Sequence, residues 1–137
     1  MSLPSRPRPV VLVTGASAGI GAALARIYAL KGWDLILTAR REAPLRALVD
    51  ELALSGAAST ILTDDLADPA APRRLFDAIA ARSLTVDGLI NNAGFSRTAG
   101  FLNTDPAAHR AMIQVMLAAP VELARLFAPA MAERGFG

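Results

Sequence analysis

The chain has 137 residues, 53% of them hydrophobic, and a formal net charge of only +2, which suits one domain with a buried core. It contains no cysteine, which excludes a disulfide framework, a thiolate metal site and a cysteine nucleophile and fits a cytoplasmic protein. Its basic groups (Arg6 and Arg8, Arg40 and Arg41, Arg73 and Arg74) are short and separate rather than a stripe, so no nucleic-acid partner is expected.

Residues 1–8, rich in proline and arginine, are expected to form a flexible tail, and the domain proper to span 9–137. The apolar run after the tail is too short for a signal sequence, and no stretch approaches the length of a membrane span, so no membrane partner is expected. VVLV (10–13) reads as a buried strand. TGASAGIG (14–21) follows, then a segment in which Ile20, Leu24, Ile27 and Tyr28 share one helical face, stopped by Gly32. DLILTA (34–39) is a second strand, and a helix from about Pro44 to Leu54 ends at Gly56. STILTD (59–64) is a third strand. Asp68-Pro69 stands in N-cap and N1 order for a helix with Leu75, Phe76 and Ile79 inward. VDGLIN (86–91) is a fourth strand, followed by the polar, glycine-containing loop NNAGFSRTAG. A long apolar helix is expected from Asp105-Pro106 to about Arg134, with Pro120 and Pro129 kinking or ending it locally. Aliphatic strands separated by helices predict an α/β fold, a doubly wound parallel sheet of Rossmann type in the order 3-2-1-4. A nucleotide crevice is expected at the switch point between strands 1 and 4.

In TGASAGIG the chain passes from strand to tight turn to helix. Glycines allow positive φ and close backbone approach, and a helix N-terminus offers free N–H groups and partial positive charge to a phosphate. The GxxxGxG spacing, followed by NNAG (91–94) at the end of strand four, by TAR (38–40) and by Asp65-Leu66, resembles the short-chain dehydrogenase/reductase family from about Pro9 to the last residue. The resemblance implies that Gly15, Ser17, Gly19, Ile20 and Gly21 wrap the pyrophosphate and adjacent ribose of a nicotinamide dinucleotide. It places Asp65 and Leu66 beside the adenine, and Asn91 and Ala93 along the ribose. The plainer alternative for Asn91 and Asn92 is a polar turn closing a strand.

NAD-binding folds usually put an acid at the end of strand two, where this chain has Ala39 followed by Arg40 and Arg41. A guanidinium there can clamp a 2′-phosphate with charge-assisted hydrogen bonds. NADP is therefore the expected cofactor, with Arg40 its main contact; the alternative is a pair of arginines beginning a solvated helix. The family's acid/base is a Tyr-x-x-x-Lys pair with a serine before it, and this chain's one tyrosine, Tyr28, and one lysine, Lys31, lie three apart in the first helix. No catalytic residue is assigned. Met116 falls where the family carries a helix asparagine, and a thioether cannot replace an amide as donor and acceptor. His109 has no partner at metal-ligand spacing, so no metal site is expected. The sequence is read as the cofactor-binding half of an NADP-dependent short-chain oxidoreductase acting on carbonyls or alcohols, ending before the catalytic segment. Such a chain is expected to be inactive alone, to meet a small-molecule substrate only when the other half is supplied, and to belong to a homo-oligomer when complete. The alternative is a non-catalytic NADP-binding module that self-associates through its long helix.

Overall fold

The protein's computed structural model describes residues 7–137, so most of the expected flexible tail lies outside the described residues. Four parallel strands form the sheet: β1 (Val10–Thr14), β2 (Asp34–Thr38), β3 (Ser59–Ile61) and β4 (Gly88–Ile90). Their order is β3-β2-β1-β4, as the sequence predicts, with Leu12 in register with Ile36 on one side and Leu89 on the other. β1 and β2 are aliphatic without interruption because helices cover both faces. Val11, Val13, Leu35 and Leu37 pack on one face against α1 (Gly19–Leu30) and α2 (Glu42–Leu52). Leu12 and Ile36 point the other way, onto α3 (Ala71–Ala80) and the Val115, Ala119, Leu123 and Phe127 stripe of the long helix.

Several expectations need correction. Of the expected face, Ile20 and Ile27 do not meet the core, being 73% and 46% exposed, while Leu24 and Tyr28 are half-buried. α1 instead buries Gly21, Ala22, Ala25 and Ala29, because only small side chains let its axis come close to β1. The turn at Asp68 is separate from α3. Asp68 accepts from the Ala70 amide at 2.9 Å, and the helix starts at Ala71 with Pro72, not Pro69, in its first turn. Arg8, expected in a flexible tail, is pinned by Asp34 at 3.1 Å and by the Gly56 carbonyl at 2.9 Å. Gly32 and Gly56 do end their helices, at φ of +83° and +73°.

The long helix starts as expected, with the Asp105 carboxylate accepting from the Ala107 amide at 2.8 Å. It is continuous but not uniform: α4 (Pro106–Ile113) passes through a π turn (Gln114–Ala118) into α5 (Ala119–Arg134). The expected break at Pro120 becomes this wider turn, in which the Ala119 amide donates to Gln114 five residues back. The turn makes room just where a proline ring would press on the preceding turn and supplies no N–H. Pro129 lies inside α5 without ending it. Residues 106–134 are therefore long and apolar enough, by length and composition, to cross a membrane, contrary to expectation; in this fold their buried stripe packs on the sheet and α3.

Candidate functional site

The ends of β1 and β4 are fastened together by one hydroxyl and one amide. The Thr14 Oγ1 accepts from the backbone amides of Asn92 and Ala93, both at 3.0 Å, and donates to the Ile90 carbonyl at 3.3 Å. The Asn92 Nδ2 donates to the carbonyls of Thr14 (3.0 Å) and Gly15 (3.2 Å). Thr14 is buried and Asn92 and Ala93 are half-buried, so these bonds pair backbone groups that are partly withdrawn from water. The sequence signals neither residue as a clasp, because its halves lie 78 positions apart.

The clasp explains two of the three glycines. A Cβ on Gly15, which has φ +66°, would stand 2.8 Å from the Ala93 Cα. One on Gly21 would stand 2.3 Å from the Gly15 carbonyl oxygen and 2.5 Å from the Asn92 Nδ2. Gly19 differs: its φ is +55° and nothing lies within 4 Å of where its Cβ would be. It begins α1, whose N-cap is Ala18, with no side-chain cap and no acid in the first turn. That end presents its first N–H groups and the positive end of the helix dipole to open space.

Beside this helix end a cleft of about 590 Å³ opens along the C-terminal ends of the strands. Of the residues expected at a cofactor, Gly15, Ser17, Arg40, Asp65, Leu66 and Ala93 line it, and Gly19, Ile20, Gly21 and Asn91 do not. Leu66 gives the cleft little of its side chain, which is buried in the core layer on α3. The Asp65 carboxylate accepts from the Ala67 amide at 3.0 Å. The Asn91 Nδ2 donates to the Pro120 carbonyl at 3.3 Å, tying the end of β4 to the long helix just beyond its π turn.

The charges of the cleft are uneven. Asp64 is held by Arg74 through two bonds, at 2.7 and 3.1 Å, and Arg74 also reaches Asp68 at 2.7 Å. These hydrogen bonds, from Asp64 first and Asp68 second, raise the pKa of Arg74 above its ordinary value. The Ala70 amide, and after it Arg74, hold the Asp68 carboxyl below the usual range. Arg40 and Arg41, by contrast, line the cleft with no ion pair or hydrogen bond among the described residues. Thr38 is buried at the end of β2, its Oγ1 closed to solvent and without a partner. Unpaired guanidinium groups and a bare helix N-terminus can together bind an anionic ligand.

Tyr28 and Lys31 stand at the far end of α1, about 14 and 18 Å along the helix from its start. Tyr28 packs edge-on against Trp33 at 5.1 Å. Met116 lies in the π turn, with its side chain against Gly94 of NNAG. His109 stacks on Phe101 at 4.9 Å.

A family model described as short chain dehydrogenase matches residues 9–137. Among curated proteins, the dehydrogenase/reductase SDR family member 7B of Bos taurus is 35% identical over 134 residues, covering 93% of this chain and 41% of that protein. Sulfoacetaldehyde reductase 2 of Chromohalobacter salexigens is 34% identical over 129 residues, covering 93% and 51%. Among solved structures, a short-chain dehydrogenase from Sphingobium yanoikuyae in complex with NADPH is 36% identical with a TM-score of 0.86, covering 94% of this chain and 50% of that one. The chain thus spans about half the length of these relatives.

Proposed function

The chain belongs to the short-chain dehydrogenase family, and from that membership we propose that it is the NADP-binding part of an oxidoreductase that reduces carbonyls or oxidises alcohols. NADP, when bound, supplies or accepts the hydride. The observation that carries the choice of NADP is the pair of unpaired arginines, Arg40 and Arg41, at the end of β2 where Ala39 replaces an acid. An acid there would repel a 2′-phosphate, whereas a guanidinium holds it with two charge-assisted bonds. The open N-terminus of α1 suits the pyrophosphate. The neighbour from Sphingobium yanoikuyae, with NADPH bound, supports the same assignment.

Tyr28 and Lys31 are too far from this cleft to move a proton at it, so the acid/base step is not theirs. The second reading is a non-catalytic NADP-binding module that self-associates through its long helix; carbonyl turnover by the 137-residue chain would exclude it. Both readings are tested by titrating the chain with NADPH and NADH, following nicotinamide fluorescence. NADPH should bind more tightly, and Arg40→Ala should weaken NADPH about tenfold, the value of one charge-assisted contact, with NADH little affected. Equal loss for both cofactors would remove the NADP assignment, and no binding by a folded sample would remove both readings.

A further inference from the structure

Met116 stands at the middle of the π turn (Gln114–Ala118), outside every contact proposed for the cofactor. Its Cγ, Cε and Sδ lie 3.6, 3.7 and 3.9 Å from where a Cβ on Gly94 would stand, so the thioether is laid along the Gly94 backbone. Gly94 lines the cleft and Met116 does not; the side chain props the wall without forming it. Among the described residues the long helix is thus joined to NNAG in two ways. One tie is polar, from the Asn91 Nδ2 to the Pro120 carbonyl at 3.3 Å. The other is the thioether, one turn earlier on the helix. Between them the Ala93 amide is held by the Thr14 hydroxyl at 3.0 Å, so whatever moves Gly94 acts beside the clasp.

The same sulfur is open to solvent. Met116 is 53% exposed, whereas Met112 and Met131 are half-buried, and Met131 packs on the core layer with α3. An accessible thioether is oxidised by peroxide. The sulfur lone pair attacks one peroxide oxygen, and an S–O bond forms as the O–O bond breaks. The second oxygen leaves as hydroxide and takes the proton of the transferred hydroxyl, giving water. Sulfur loses two electrons and the peroxide gains them. The product is a polar, chiral sulfoxide. Its oxygen either presses on the Gly94 backbone or turns to water and draws the side chain off it, and both remove the apolar tie. We propose that Met116 is an oxidation site through which hydrogen peroxide weakens the cofactor cleft, by releasing Gly94 from the long helix; the effect on NADPH rests on the NADP reading of the cleft. Reduction of the sulfoxide restores the tie, so the change is reversible.

The test treats the 137-residue chain with hydrogen peroxide, removes the peroxide, and applies peptide mass spectrometry with fragment sequencing, hydrogen exchange and titration with NADPH. Met116 should gain one oxygen before Met112 and Met131 do. Chain oxidised there should bind NADPH roughly three- to tenfold more weakly, as the loss of one side chain's packing would give, and the Ala93 amide should exchange faster. The two methionine sulfoxide reductases, one for each epimer, should reverse both changes. Met116→Leu, compared with itself before and after peroxide, should show neither. Should Met116→Leu fold poorly, Met116→Gln puts a polar group in the same place and should show both changes with no peroxide. Oxidation of Met112 or Met131 ahead of Met116 would overturn the proposal, as would an equal loss in Met116→Leu. So would complete Met116 oxidation that leaves either NADPH binding or Ala93 exchange unchanged. In each of these cases NADPH binding by the untreated chain leaves the NADP reading standing. If the untreated chain binds no NADPH, that reading falls, and Ala93 exchange alone decides whether Met116 controls the cleft wall.

Discussion

Replacing glycine by alanine inside a helix ordinarily stabilises it by about 1 kcal/mol; at Gly21 the geometry reverses the sign. The added methyl would stand 2.3 Å from the Gly15 oxygen and 2.9 Å from the Gly15 carbonyl carbon, and neither is the end of a flexible side chain. The first turn of α1 must then move about 1 Å off β1, at a cost of about 1–3 kcal/mol. The displacement also disturbs the Asn92 bond to the Gly15 carbonyl, a further cost of about 1 kcal/mol. After the gain in helix propensity, Gly21→Ala should be about 2 kcal/mol less stable, a fall of ~7 °C in Tm for a chain of this length. Gly19→Ala is the control. It meets no atom but must hold φ +55°, which costs about 1 kcal/mol and half that shift in Tm. Thermal melts followed by circular dichroism give the two values. Hydrogen exchange at the Asn92 and Ala93 amides should then speed up in Gly21→Ala and not in Gly19→Ala. A Gly21→Ala protein with unchanged or higher Tm would refute the close approach of α1 to the clasp.

Thr14→Val keeps the side chain's volume but leaves the amides of Asn92 and Ala93 without their acceptor. It should cost about 2–4 kcal/mol in a denaturant melt, and no loss would mean that water takes the hydroxyl's place. Asp68, held low by the Ala70 amide and by Arg74, contributes fully above the unfolded carboxylate value, near pH 4. That contribution is lost as pH falls through its lower folded value. The stability difference between the parent and Asp68→Asn should therefore be flat from about pH 5 to 8 and close as the pH falls below about 4; a gap that widens in acid would count against the Asp68–Arg74 pairing.

What the sequence made legible is what neighbours along the chain decide. The runs at 10–13 and 34–39 read correctly because strands buried on both faces show as uninterrupted aliphatics. Gly32, Gly56 and Asp105 read correctly because a helix end is settled within a few residues. The face of α1 did not, since Ile20, Leu24 and Ile27 recur with the same period as Ala22, Ala25 and Ala29. Only the distance to the sheet, a tertiary quantity, decides for the small set. The start of α3 was misjudged because Asp-Pro begins a capped turn as readily as a helix. In the cleft, the position of Arg40 was legible from its place after a strand, whereas the loop after β4 is irregular and its path depends on Phe95 finding the core. Thr14 and Asn92 were hidden for a related reason: a polar residue at a strand end looks the same whether it meets water or another strand.

The glycine motif therefore answers two separate demands. Gly15 and Gly21 are required by the packing of α1 and the β4 loop against the end of β1, and would be required with no ligand at all. Their spacing identifies a strand–turn–helix joint, and by itself says little about what the joint holds. Gly19 and the uncapped Ala18 belong to the other demand, since open space and free N–H groups stabilise nothing inside the fold. In the NADP reading, the choice of ligand falls to charges outside the motif, on Arg40 and Arg41 at the end of β2. That division has a consequence for how the site fails. Damage to Gly21 should lower stability and cofactor binding together, because both pass through the clasp. Damage to Arg40 should lower affinity for the phosphorylated cofactor alone, with the melting curve unmoved. Variants that fall cleanly into those two groups would establish that scaffold and selectivity are carried by different residues of one cleft.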